Sequence, residues 1–251
     1  EKSLKYNEPW ILQRADPYVY RHTDGSYYFT ASVPAYDGIV LRRAGTLAEL
    51  SGAEEVMVWK KHESGPMSYH IWAPEIHYLF GKWYIYFAGG EAEDIWKIRP
   101  YVLECSGDDP LTDEWVELGK MKRAAEDEFS FEAFSLDATV FENKGEYYYV
   151  WAEKVGVGKM ISNLYIAKME SGNQLKTVQV LLTTPDYDWE RKGFWVNEGP
   201  AVIHHDGKMF LTYSASETGV DYCVGMLSID EDADILDPRL WKKERYPVLK
   251  T

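Results

Sequence analysis

A fourfold internal repeat constrains this chain more than any other feature. The stretches ADPYVYRHTDGSYYFTAS, WAPEIHYLFGKWYIYFAG, LDATVFENKGEYYYVWAE and EGPAVIHHDGKMFLTYSAS each run an apolar strand, a short polar turn with glycine, and an aromatic-rich strand. Their turn glycines, Gly25, Gly81, Gly145 and Gly207, follow at intervals of 56, 64 and 62 residues. β-Branched and aromatic residues flanking a glycine turn mark a β-hairpin, so each copy predicts one. A third apolar run follows each hairpin, at residues 39–41, 101–103, 164–167 and 222–227. A fourth follows at 56–59, 115–118, 178–182 and, weakly, around Trp241.

Four strands per unit of about sixty residues, with little helical periodicity between them, predict the blades of an all-β propeller. The chain reads as a single domain over 1–251, with blades at roughly 10–60, 70–120, 134–184 and 194–243. The competing architecture is a large sandwich or jelly roll, which requires no regular unit of this length. The polar stretch 121–134 and the glycine-rich stretch 155–163 read as connections between blades. An open array of blades leaves sheet flanks bare, so the ring must close, either with four blades or with one supplied from elsewhere.

Composition narrows the function classes. A net charge of −14 argues against a nucleic-acid partner, and 45% hydrophobic residues allow a large core. No apolar run is long enough for a membrane span, and the opening EKSLKYNEPW lacks the apolar stretch of a secretory signal. Cys105 and Cys223 are too few for a disulfide framework and read as buried thiols. These features predict a cytoplasmic protein, with an exported protein whose leader has been removed as the alternative. Aromatic residues reach 15%. Most are expected to fill the core, while flat apolar faces with polar tips also suit sugar rings.

Inner strands of a propeller run in one direction, so their first residues gather at one mouth. Counting back eight or nine places from each turn glycine gives Asp16, Trp72 or Ala73, Asp137, and Glu198. One such acid is explained by loop capping, but three at equivalent positions are not. Carboxylates crowded in a partly dry channel split their proton affinities, leaving one protonated and another ionised. Glycoside hydrolysis needs that division.

At these positions the sequence resembles glycoside hydrolase family 43. The motifs are Ala15-Asp16-Pro17, Trp72-Ala73-Pro74-Glu75, Leu136-Asp137-Ala138 and Asn197-Glu198-Gly199-Pro200, one opening each blade, and the likeness spans residues 8–243. The resemblance implies a five-bladed propeller that cleaves α-L-arabinofuranosides or β-D-xylosides with inversion. It implies Asp16 as general base, Glu198 as general acid, and Asp137 as the group that orients Glu198 and raises its pKa. Inversion requires base and acid about 6.5–9.5 Å apart, to admit a water. Trp72 is the candidate sugar platform. Phe29 and Phe134 are candidate pocket walls, and His70 a loop residue that could reach substrate. Glu75 could instead be a buried structural acid.

Residues 14–44 carry a narrower likeness to exo-acting α-L-arabinofuranosidases, including those acting on 1,5-linked arabinan. β-Xylosidase activity is the second reading, and a carbohydrate-binding propeller without catalysis a third. The expected partners are arabinose- or xylose-containing oligosaccharides, with no nucleic acid and no membrane. Family members usually continue into a fifth blade with a histidine motif and, in many, a metal or water site. Residues 244–251 do not supply it, which predicts a fragment, or a second chain that provides the closing blade. No metal or other cofactor is assigned to this chain. His204, His205 and Asp206 read as a polar turn. Gly156, Gly158 and Lys159 lack the spacing of a phosphate loop, and no GxSxG motif occurs.

Overall fold

The computed structural model describes residues 8–157 and 159–250. Strands β1 (Ala15–Arg21), β2 (Tyr27–Ser32), β3 (Gly38–Ala44) and β4 (Val56–Lys60) form one antiparallel sheet in chain order. Strands β5 (Tyr69–Leu79), β6 (Lys82–Glu91), β7 (Asp94–Cys105) and β8 (Val116–Lys120) form the next. The third unit holds β9 (Ser135–Asn143), β10 (Glu146–Val157) and β11 (Lys159–Ser171), with β12 (Gln174–Leu175) and β13 (Val180–Thr183) both paired to β11. The fourth holds β14 (Trp195–His205), β15 (Lys208–Ala215) and β16 (Cys223–Asp230), with β17 (Lys242–Lys243) and β18 (Leu249–Lys250) on its edge. A short parallel contact, Ile161↔Trp195 and Ser162↔Val196, joins the third and fourth units.

The repeat governs the turns. Phe80-Gly81, Lys144-Gly145 and Asp206-Gly207 are two-residue turns with both φ values positive, between 50° and 78°. That is the geometry whose twist matches paired strands. The first hairpin differs by one residue. Thr23-Asp24-Gly25 turn between His22 and Ser26, closed by Gly25 N–H donating to His22 O at 3.0 Å.

The hydrophobic cores lie between successive units, and strand alternation sends neighbouring residues to opposite faces. From β6, Ile85 and Phe87 pack with Tyr28, Ile39 and Leu41 of the first sheet. The intervening Tyr84 and Tyr86 pack with Tyr149 and Trp151 of the third. From β10, Val150 and Ala152 face Leu211 and Tyr213 of the fourth. Aromatic-rich second strands are therefore buried on both faces, which accounts for most of the aromatic excess. Units stacked face to face in chain order, with β1, β5, β9 and β14 innermost, make an all-β fold of the propeller type. The sandwich alternative is not followed.

One expected connection is corrected. Residues 155–163 do not link blades: β10 and β11 pair through Lys154↔Ser162 and Val155↔Ile161, so this stretch ends a long hairpin. Gly158 lies outside the described residues. Residues 121–134 do form the connection from β8 to β9.

Candidate active site

Each inner strand carries the same irregularity near its start. The pairs Ala15↔Ser32 and Tyr18↔Thr30 leave two residues of β1 opposite one of β2. Trp72↔Ala88 with Glu75↔Tyr86 repeats this, as do Leu136↔Ala152 with Thr139↔Val150, and Glu198↔Ser214 with Ala201↔Thr212. Such a bulge re-aims side chains. Its first residue has positive φ every time: Asp16 49°, Ala73 46°, Asp137 55° and Gly199 56°. Asp tolerates that conformation better than most residues.

This register corrects the alignment of the acids. Asp16 and Asp137 sit on the bulge, whereas Glu198 stands one residue before it, level with Ala15, Trp72 and Leu136. The extra residue of the first turn shifted the count from Gly25 by one and hid the difference. Gly199 takes the bulge position instead. A Cβ there would lie 3.3 Å from Ser214 Oγ, on a backbone that side chains rarely adopt.

Two adjoining cavities result. The inner one, about 370 Å³, is enclosed by all four inner strands and lined by Asp16, Ala73, Glu75, Asp137 and Gly199. The outer one, about 310 Å³, is lined by Trp72, Trp96, Phe134, Lys154 and Glu198. Asp16, Asp137 and Tyr222 line both. Three carboxyl groups separated by 121 and 61 residues in the chain thus surround one hollow.

Hydrogen bonds across unit boundaries fix them. Ser32 Oγ donates to Asp16 Oδ2 at 2.8 Å and accepts from Ala73 N–H at 2.8 Å, tying the first sheet to the second. Gly199 N–H donates to Asp137 Oδ2 at 3.0 Å, tying the third to the fourth. Tyr222 O–H donates to Glu198 Oε1 at 2.9 Å.

Burial, then the charges of Glu198 and Asp16, push the Asp137 carboxyl well above its ordinary value, against the Gly199 amide. Burial also raises Glu198. The Tyr222 bond and Lys154 oppose that shift, and Asp16 adds to it. Two buried carboxyls this close do not both ionise readily. Lys154 is the one cation lining the outer cavity among the described residues. Its ammonium sits 4.0 Å from the centre of the Phe134 ring, and burial lowers its pKa.

The remaining expectations divide. Trp72 and Phe134 line the outer cavity. Phe29 does not line either: it is 1% exposed, packed with Ala31 and Leu50 and edge-on to Trp10. His70 also lines neither cavity: its ring packs against Trp72 and Trp96, with centroids 4.3 and 5.1 Å away. Glu75 is a buried acid that accepts from His77 Nε2 at 2.8 Å and is raised by burial. Sequence reasoning missed Ser32, Lys154, Trp96 and Tyr222. Only Ser32 left a trace: the residue facing the position before the bulge is serine or alanine in all four copies.

Among the described residues, no group of three or more His, Cys, Asp or Glu side chains is arranged to hold a metal ion. In the 204–206 turn, His204 Nδ1 pairs with Glu231 and His205 Nε2 with Asp206. Cys105 and Cys223 are free and buried.

The sequence matches the family model of the glycosyl hydrolases family 43 over residues 6–251. The extracellular exo-α-(1→5)-L-arabinofuranosidase of Streptomyces avermitilis is 48% identical over 249 residues, 99% of this chain and 50% of that protein. Its namesake from Streptomyces chartreusis is 47% identical over 243 residues, 97% of this chain and 72% of that protein. The chain thus spans about half the length of the first relative. The α-L-arabinofuranosidase of Lactobacillus brevis superposes with a TM-score of 0.87 at 51% identity, covering 97% of this chain and 76% of that one. A thermostable family-43 glycoside hydrolase superposes with a TM-score of 0.73 at 23% identity over 95% of this chain and 74% of that one, a likeness of fold. The expectation of a cytoplasmic protein is corrected here, since both Streptomyces relatives are named extracellular. Two buried thiols do not distinguish the compartments.

Proposed function

This chain belongs to the glycosyl hydrolases family 43, and we propose that it acts as an inverting glycosidase releasing α-L-arabinofuranose from arabinan- or arabinoxylan-type oligosaccharides. The observation that carries the reading is the meeting of Asp16, Asp137 and Glu198 around one hollow with an indole, Trp72, on its wall. The relatives at 48% and 47% identity, both named arabinofuranosidases, support arabinose over xylose.

In this mechanism Asp16, held by Ser32, takes a proton from the water that attacks the anomeric carbon. Glu198, whose hold on its proton is strengthened by burial and by the Asp16 charge, gives that proton to the leaving oxygen. Asp137 orients the Glu198 segment by accepting from Gly199 N–H. Trp72 stacks on the apolar face of the pentose.

The same reading takes the four units as blades and adds a fifth sheet that closes the ring. Supporting this, hydrophobic cores join the first sheet to the second, the second to the third unit and the third to the fourth, while among the described residues none joins the fourth to the first, and Asp16, Pro17, Gly199 and Ala201 of their inner strands are exposed.

Glu198→Gln is the test. It is expected to lower kcat on arabino-oligosaccharides by about 10²- to 10⁴-fold with the fold retained. Proton NMR at early times should detect the β-anomer of arabinose from the unaltered protein. Unchanged turnover in Glu198→Gln would remove the acid assignment, and the α-anomer as first product would remove inversion.

A further inference from the structure

Acidic side chains outnumber basic ones in this chain by 41 to 27, yet on one part of its surface the balance is reversed. Two adjoining hollows, of about 580 and 410 Å³, share Lys120, Phe131 and Glu132 and so make one groove. Lys97, Arg99, Lys120, Lys122 and Arg123 line it, against two carboxylates, Glu91 and Glu132. Both carboxylates are already taken, Glu91 by Lys97 at 2.8 Å and Glu132 by Arg123. Arg99 donates only to the backbone carbonyls of Ile98 and Glu132. Lys120 and Lys122 are exposed and meet no carboxylate at ion-pair distance among the described residues. The groove therefore carries uncompensated positive charge on an acidic molecule.

One side of the groove is the connection 121–134, and two buried carboxylates fix its course. Asp127 accepts from the Phe129, Ser130 and Gln179 amides at 2.8, 3.0 and 3.0 Å. Glu153 accepts from the Phe131 and Ala133 amides at 3.0 and 3.1 Å. Phe131 is held at a φ of 65°, which a residue other than glycine keeps only when its surroundings over-determine it. A loop pinned this way presents its cations with little further ordering cost when a ligand arrives. The rest of the lining includes the buried apolar side chains of Met67, Met121 and Phe131.

We propose that this groove binds the carboxylate-bearing chain of an acidic polysaccharide, a polyuronate, beside the mouth of the active site. Lys and Arg give charge-assisted hydrogen bonds to carboxylates, and a uronate ring also offers C–H faces to the apolar lining. The groove adjoins the outer cavity along two segments. Trp96 and Phe134 line the cavity, while Lys97, next to Trp96, and Glu132, two residues before Phe134, line the groove. The inference rests on the glycosidase reading in one respect: neutral arabinose branches of such a chain would enter the cavity while the charged chain lies in the groove.

Affinity electrophoresis in native gels at low salt tests this, with polygalacturonate, its fully methyl-esterified form and dextran sulfate as probes. Polygalacturonate should retard the unaltered protein, and added salt should weaken the retardation. The esterified chain, which keeps the sugars but not the charge, should leave mobility unchanged. Lys120→Gln combined with Lys122→Gln should bind polygalacturonate about tenfold more weakly. Its turnover of an aryl arabinofuranoside should match that of the unaltered protein, which also shows that the variant is folded. Absence of retardation, equal retardation by the esterified chain, or a double variant that binds as before would overturn the groove. Tighter binding of dextran sulfate would make it a general polyanion surface and overturn the uronate assignment. Failure of the unaltered protein to cleave any arabinofuranoside would sink the glycosidase reading while leaving the binding result in place, so the two failures are told apart.

Discussion

Tyr222 donates its hydroxyl to Glu198 Oε1 at 2.9 Å, and both residues line the outer cavity. The bond favours the carboxylate, while burial favours the neutral acid more strongly, and the outcome is a carboxyl held above its ordinary value. A general acid needs this balance, with the proton present at rest and free to leave in the transition state.

Tyr222→Phe removes the group that stabilises the ionised form, so Glu198 gives up its proton at higher pH than before. The alkaline limb of kcat/KM should move upward, and kcat at neutral pH should fall by about three- to tenfold as the donor becomes less acidic. A pH–rate profile on an aryl arabinofuranoside checks both. An alkaline limb that stays in place would separate Tyr222 from the acid.

Asp137 links activity to stability. Its carboxyl is raised in the folded protein by burial first and then by the Glu198 and Asp16 charges. A carboxyl raised by folding contributes stability in full below its unfolded value, and that contribution is lost as pH climbs through the folded value. Asp137→Asn keeps an oxygen for the Gly199 amide but cannot ionise. Its Tm should exceed that of the unaltered protein by a few degrees near pH 8 and by much less near pH 4, with activity reduced at both. Thermal melts at the two pH values decide this. A difference that does not grow with pH would mean that Asp137 is not held in its neutral form.

The parts of this molecule that a linear reading recovers are those governed by period. Alternation in WYIYF and YYYVW announces strands buried on both faces, and recurrent glycines announce hairpins. Asp16 and Asp137 are found because the repeat carries them to the same bulge. Glu198 is found with them by a count that the longer first turn happens to compensate, although its register matches Trp72. What escapes the reading is set across unit boundaries. Ser32 reaches Asp16 and Ala73, Tyr222 reaches Glu198, and Lys154 leans on Phe134 from a hairpin that looks like a loop because of its glycines. None of these contacts follows a sequence period. Phe29 fails as a pocket residue for a related reason: both faces of β2 are covered, so alternation does not bring it to the cavity.

Glu190 ties the outer edge of the fourth unit to the segment that carries the acid. Its side chain is fully buried and accepts from Asn197 Nδ2 at 3.0 Å and Tyr213 O–H at 2.9 Å. Lys243, from β17, supplies the counter-charge, with Nζ within 2.8 and 2.9 Å of the two Glu190 oxygens. Asn197 immediately precedes Glu198, so this cluster anchors the acid's backbone from behind. Lys243→Met would leave the carboxylate buried without a cation, at a cost of about 3–5 kcal/mol, whereas Glu190→Gln with Lys243→Met together should cost less than the sum of the two single changes. Urea titrations of the three variants measure both quantities. A loss below about 1 kcal/mol in Lys243→Met would place the pair in the range of solvent-exposed ion pairs and detach it from the anchoring of Asn197.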